Sequence, residues 1–259
     1  MPFVTLLGHR TWAKIPAAGP TVVLLHGGMS SSASMLRSLG PRLKKDFRIA
    51  AFDRRGHGRT ADTPDPFHYE SMAEETVAFI ELLGRPVHLV GHSDGGNVAL
   101  LVTLARPDLV RRSVVIGANY HHEGLMELDL MTRPSPEFDL WAMKYAESSP
   151  DGMEHAAVVF DKTLELFSHE PTLTPADLER VSRPTLVLAG DDDVATLEHT
   201  CSMYESIPDA QLAIVPGTSH GLLKERPKES ARIIRRFLRE EGALETLAPV
   251  RRARRAPDA

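Results

Sequence analysis

The hexapeptide Gly91-His92-Ser93-Asp94-Gly95-Gly96 stands directly after the apolar run Val87–Val90 and directly before a helical pattern over Asn97–Arg106. Few backbones accommodate that order. The chain must leave a strand, reverse within a few residues and enter a helix. Glycines at positions 91 and 95 remove the β-carbons that would collide with neighbouring backbone in so tight a turn. Such a turn lifts the Ser93 hydroxyl above the carboxyl edge of a sheet, and the helix start beneath it favours negative charge.

The rest of the chain supplies that sheet. Thr21–Leu25, Phe47–Phe52, Ser113–Ile116, Thr185–Ala189 and Gln211–Val215 are short runs rich in Val, Ile and Leu, as buried parallel strands require. Helical patterns over Ser71–Leu83 and Pro227–Arg239 lie between or after them. Ser71 with Glu74 reads as a capping box. Strand–helix alternation predicts an α/β fold, a mostly parallel twisted sheet with helices on both faces. The alternation breaks between Tyr120 and Arg183, where helical segments near Glu137–Glu147 and Gly152–His169 form a small helical insertion placed over the sheet. The expected organisation is a core of residues 1–119 and 184–248, a cap of residues 120–183, and a disordered basic tail of residues 249–259.

A serine hydroxyl needs a base. Of twelve histidines, His220 follows the last predicted strand and so reaches the edge where Ser93 sits. His92 points elsewhere in its turn, His57 lies in a glycine loop and His88 lies in a strand. His121 and His122 open the insertion. His9, His68, His155, His169 and His199 read as surface residues. The base needs a carboxylate to fix its tautomer. Asp191, Asp192 and Asp193 all follow a strand at the right edge. Charge developing on the substrate oxygen needs amide donors. Asp94 N–H is one candidate. Gly28 N–H, after Thr21–Leu25, is the other, with neighbouring Met29 as its replacement. His26 braces that turn.

Taken together, His26-Gly27-Gly28, Asp53-Arg54-Arg55-Gly56-His57-Gly58, the Ser93 hexapeptide, Gly190–Asp193 and Gly217–His220 resemble the α/β-hydrolase superfamily over nearly the whole chain. The resemblance implies a Ser93–His220–acid triad, and its G-x-x-D pattern laid on Gly190 selects Asp193. It also implies a cap that shapes the pocket. His121, Met126, Met131, Trp141 and Phe160 are then candidate lining residues, with Met29 beside them. Ser93-Asp94-Gly95-Gly96 with Ile116-Gly117-Ala118-Asn119 is similar to the branch containing valacyclovir hydrolase. That similarity implies that the Asp94 carboxylate meets a cation on the substrate; the residue's own place, in the first turn of a helix, is alternatively that of a carboxylate favoured by the helix dipole.

The reaction class expected is hydrolysis of a small carboxylic ester, lactone, thioester or amide through an acyl-enzyme. C–C bond hydrolysis, cofactor-free haloperoxidation, and a ligand receptor on the same fold are the alternatives. A net charge of −5 gives no reason to expect nucleic acid. No run approaches a membrane span, and no signal peptide is visible. One cysteine, Cys201, precludes an intrachain disulfide and fits the cytoplasm. No metal-ligand spacing or dinucleotide fingerprint appears, so no metal or cofactor is expected. The expected partner is a small-molecule substrate, met by a monomer or homodimer.

Overall fold

A computed structural model describes residues 2–126, 133–240, 246–248 and 250. In chain order the elements are β1 (Phe3–Leu6), β2 (His9–Lys14), β3 (Thr21–Leu25), α1 (Ser32–Ser38), α2 (Gly40–Leu43), β4 (Arg48–Phe52), α3 (Tyr69–Leu83), β5 (Val87–His92), α4 (Asp94–Ala105) and β6 (Val110–Ile116). There follow α5 (Pro136–Ala146), α6 (Ala156–His169), α7 (Pro175–Leu178), β7 (Thr185–Asp192), α8 (Leu197–Ser206), β8 (Ala210–Ser219), α9 (Leu222–Glu225) and α10 (Pro227–Arg239).

The eight strands form one sheet in the order β1-β2-β4-β3-β5-β6-β7-β8. β3 to β8 run parallel in pairs, and β1 and β2 join antiparallel at one edge. Alternate side chains of each strand enter two separate cores. Val23, Leu25, Leu89 and Val115 meet α3 and α4 on one face. Val22, Leu24, Val90 and Val114 meet Met35 of α1, Leu43 of α2, and Ile234 and Phe237 of α10 on the other. Burial of both faces is why these strands read as unbroken apolar runs.

The β1–β2 hairpin escapes the sequence reading because β1, the edge strand, has only four residues and His9–Lys14 is half polar. The capping-box reading of Ser71 is also corrected, since α3 begins earlier, at Tyr69. Its first-turn amide is capped from the insertion: the Glu170 carboxylate accepts from Tyr69 N at 2.9 Å and from the His68 ring at 2.6 Å.

Helices α5, α6 and α7 lie between β6 and β7 in sequence. Ala142, Tyr145, Val159, Leu166 and Leu178 from this stretch join the same apolar cluster as α3 and α4. Polar ties add to the packing. The buried Asp62 carboxylate, in the loop after β4, accepts from Lys162 Nζ at 2.7 Å and His155 Nε2 at 2.9 Å. His155 is therefore a tie between layers, not a free surface residue. Met131 and the tail, apart from Val250, fall outside the described residues.

Several histidines are folded away from water. Burial holds His57, His88, His92 and His199 down at about 4, and His26 well below its ordinary value. Between pH ~6.5 and ~4 the unfolded chain binds protons that the folded chain refuses. Stability is then lost as pH falls through that window, by up to about 1.4 kcal/mol per pH unit for each such histidine. Scanning calorimetry should show Tm falling steeply from pH 7 to about 4.5. A Tm flat across that range would contradict the burial of these rings.

Candidate active site

The turn between β5 and α4 places Ser93 at φ 55°, ψ −126°, a strained conformation for a residue with a side chain. The surroundings enforce it. A β-carbon on Gly91 would lie 1.9 Å from the carbonyl oxygen of Gly95, and one on Gly95 would lie 2.2 Å from that of Leu25. Both clashes are with backbone, so only glycine fits. Ser93 N donates to Ile116 O at 2.8 Å, fixing the turn to the adjacent strand β6.

His220 follows β8 and lines the same cleft as Ser93. Its Nδ1 lies 2.7 Å from Asp193 Oδ1. Asp193 is buried at the end of β7 and also accepts from Val194 N at 2.8 Å and Gly190 N at 3.3 Å. Burial pushes its carboxyl upward, but the His220 contact and the two amides outweigh that and hold it below the usual carboxylate range. It is an anion at neutral pH. Its neighbours lie elsewhere. Asp191 is exposed and accepts from Thr218 N at 3.0 Å, bracing the end of β7 against that of β8. Asp192 is exposed.

His92, beside the serine, packs tilted against His220 with ring centroids 4.7 Å apart. Its Nε2 donates to His220 O at 2.9 Å, a positioning contact that the sequence reading missed.

The loop after β3 closes over the serine. A β-carbon on Gly27 would lie 3.1 Å from Ser93 Cβ. The amides of Gly28 and Met29 make no backbone hydrogen bond among the described residues, and Asp94 N opens α4 with no intrahelical partner. These N–H groups are therefore available to an anionic oxygen. Met29 takes a left-handed φ of 50° in the same loop. His26 braces it from behind, with Nδ1 2.8 Å from Gly27 O and Nε2 accepting from Arg54 N at 3.2 Å.

The Asp94 side chain does not meet the cleft as the resemblance implied. It is buried, accepts from Tyr69 Oη at 3.1 Å, and lies 4.0 Å from Arg54 Nη2. Arg54 is itself buried, and neither its Nε nor its Nη2 has a hydrogen-bond partner. Removing the partner of a buried charge costs about 3–5 kcal/mol. Asp94 is thereby committed to an internal cation, and a substrate cation would have to compete with it. Burial pushes the Asp94 carboxyl above its ordinary value despite Arg54.

The insertion residues are also displaced from the expected lining. Trp141 Nε1 donates to Met29 O at 2.9 Å, pinning α5 onto the loop after β3. Phe160 is buried among Phe138 and Trp141. Phe167 reaches within 2.9 Å of where a Gly28 β-carbon would be. Met126 is half exposed and its N–H donates to Val194 O. His121 stacks on His122 and lines a different cleft, with Tyr120 and His199. His199, expected at the surface, is buried against Tyr120, with ring centroids 3.9 Å apart. Close contact between insertion and core thus leaves the Ser93 cleft bounded by α1 and α9 instead, through Ser34, Ser38, Leu223 and Lys224, with Ser30 from the loop before α1. Among the described residues no group of His, Cys, Asp and Glu is arranged to hold a metal, and no helix is long and apolar enough to cross a membrane.

The sequence profile of the Alpha/beta hydrolase family matches residues 22–233. The chain is 29% identical over 236 residues to the putative carbamate hydrolase RutD of Stutzerimonas stutzeri, covering 82% of this chain and 89% of that one. It is 30% identical over 260 residues to the non-heme haloperoxidase of Rhodococcus erythropolis, covering 86% and 93%. Among solved structures, a serine hydrolase involved in carbazole degradation superposes with a TM-score of 0.74 at 24% identity, covering 91% of this chain and 97% of that one. At that identity the likeness speaks for the fold.

Proposed function

Because this chain belongs to the Alpha/beta hydrolase family, we propose that it is a serine hydrolase that cleaves small carboxylic esters or related acyl compounds through an acyl-enzyme. The observation that carries this reading is the 2.7 Å contact of His220 Nδ1 with buried Asp193, in the cleft that Ser93 enters on a strained turn. With Nδ1–H given to Asp193, Nε2 of His220 is the free lone pair that a serine proton requires.

In the proposed cycle, Ser93 Oγ adds to the substrate carbonyl carbon as its proton passes to His220 Nε2. The oxyanion is held by the N–H groups of Asp94 and of Gly28 or Met29. Collapse expels the alcohol, which takes the proton from His220. Water, deprotonated by His220, then attacks the acyl-serine, and collapse releases the acid while Ser93 Oγ takes the proton back from His220. Asp193 stays ionised throughout and stabilises the imidazolium. A carbamate carbonyl is open to the same steps, and similarity to a putative carbamate hydrolase supports testing one. The lone thiol, Cys201, fits action in the cytoplasm.

Rapid mixing with para-nitrophenyl acetate, followed by acid quench and peptide mass spectrometry, tests the proposal. We expect a burst of nitrophenol and an acetyl group on the peptide containing Ser93. Turnover with the acetyl group on another residue would overturn the assignment.

A further inference from the structure

The cleft at Ser93 is small, about 290 Å³. Of its thirteen lining residues, Lys224 is the only lysine, arginine, aspartate or glutamate. Lys224 lies on α9, four residues after His220, and is exposed. The acidic residue next to it does not neutralise it: Glu225 is turned away, accepting from Ser219 N at 2.8 Å and Ser219 Oγ at 2.7 Å. His92 is held neutral at physiological pH by burial, with its value down at about 4.

The hydroxyls that α1 and the loop before it contribute to the lining sort themselves by their own bonds. Ser34 Oγ donates to Ser31 O at 2.8 Å. In its 2.9 Å contact with Ser30 Oγ it must then be the acceptor, so the Ser30 proton is spent too. Ser38 Oγ has no such commitment and keeps its proton to donate. The lining therefore offers a hydroxyl donor from α1 and an ammonium from α9, with no carboxylate among its described residues to answer them.

Resting on the serine-hydrolase reading above, we infer that the site selects small esters bearing a carboxylate, which Lys224 and Ser38 recognise while Ser93 attacks the ester carbonyl. A small cleft excludes long acyl chains, and an ammonium with no salt-bridge partner among the described residues favours an anionic substrate over its neutral counterpart. Lys224 is a specificity-determining residue in this account and takes no part in bond making.

Two matched pairs test the inference. Monomethyl glutarate and methyl glutaramate differ by a charge on the acyl side. Para-acetoxybenzoate and para-acetoxybenzamide differ by a charge on the alcohol side. In the wild type we expect kcat/KM to favour the anion by about fivefold to tenfold in at least one pair. Lys224→Met should collapse that ratio, Lys224→Arg should retain it, and added salt should weaken it. A ratio that survives in Lys224→Met would overturn the role of Lys224. Equal turnover of anion and amide in the wild type, with para-nitrophenyl acetate still hydrolysed, would overturn the inference and leave the serine-hydrolase reading standing. Absence of all ester turnover, with no fluorophosphonate labelling of Ser93, would defeat both.

Discussion

Ser93→Ala should lose fluorophosphonate labelling and lose ester hydrolysis by on the order of 10⁴–10⁶ in kcat, while folding normally. The expected size follows from what the substitution removes. The hydroxyl is the only atom lost, so the cleft, the loop after β3 and the His220–Asp193 pair all remain. The amides of Gly28 and Asp94 would still polarise a bound carbonyl, which sets a floor above the uncatalysed rate. The strained backbone at φ 55° is set by Gly91, Gly95 and the bond from Ser93 N to Ile116 O, none of which depends on the hydroxyl. Circular dichroism and Tm should therefore match the wild type. A variant that folds and keeps full activity would remove Ser93 from the mechanism.

The turn at Ser93 was legible in the sequence because its constraint is local and backbone-made. Side chains at positions 91 and 95 are excluded by carbonyl oxygens of Gly95 and Leu25, so the glycines had to be written into the chain. The parallel strands were legible for a similar reason, since burial on both faces leaves an unbroken apolar run. What could not be read depends on contacts between distant segments. Nothing near Trp141 announces that its indole N–H will find Met29 O, 112 residues away. Nor does the sequence around Glu170 say that it caps α3, so Ser71 and Glu74, with the right spacing, took that role on paper. The Asp94 side chain depends on a distant contact in the same way. Its place after Ser93 resembles a substrate-binding aspartate, but its partner was decided by Arg54, which reaches the same buried space from the loop after β4. The cleft residue Lys224 carries one faint signal, lying one helical turn after His220, whereas nothing near Ser38 marks it.

Asp193→Asn should lower kcat by roughly 10⁴, with much smaller losses in Asp191→Asn and Asp192→Asn. The geometry separates the three. Asp193 Oδ1 faces the His220 ring at 2.7 Å and Val194 N at 2.8 Å, and Oδ2 faces Gly190 N at 3.3 Å. The carboxylate therefore faces three nitrogens and has an acceptor for each. An amide has a single oxygen. With that oxygen toward Val194, its NH₂ group meets Gly190 N–H. With it toward Gly190, the NH₂ group meets Val194 N–H and His220 Nδ1, which favours the tautomer with its proton on Nε2 and leaves no lone pair there for Ser93. In both orientations the imidazolium formed during attack loses the buried negative charge that stabilises it. That charge is present at neutral pH, because the Asp193 carboxyl is held below its ordinary value and protonates only as pH falls through that lowered value. Asp191 touches neither Ser93 nor His220. It braces Thr218 from an exposed position, so its amide should cost some loop order and little rate. Steady-state kinetics of the three variants on one ester, with KM and kcat separated, decides the matter. Loss concentrated in kcat for Asp193→Asn alone is the expected pattern. Equal losses across the three, or the largest loss in Asp192→Asn, would place the orienting acid elsewhere in the loop.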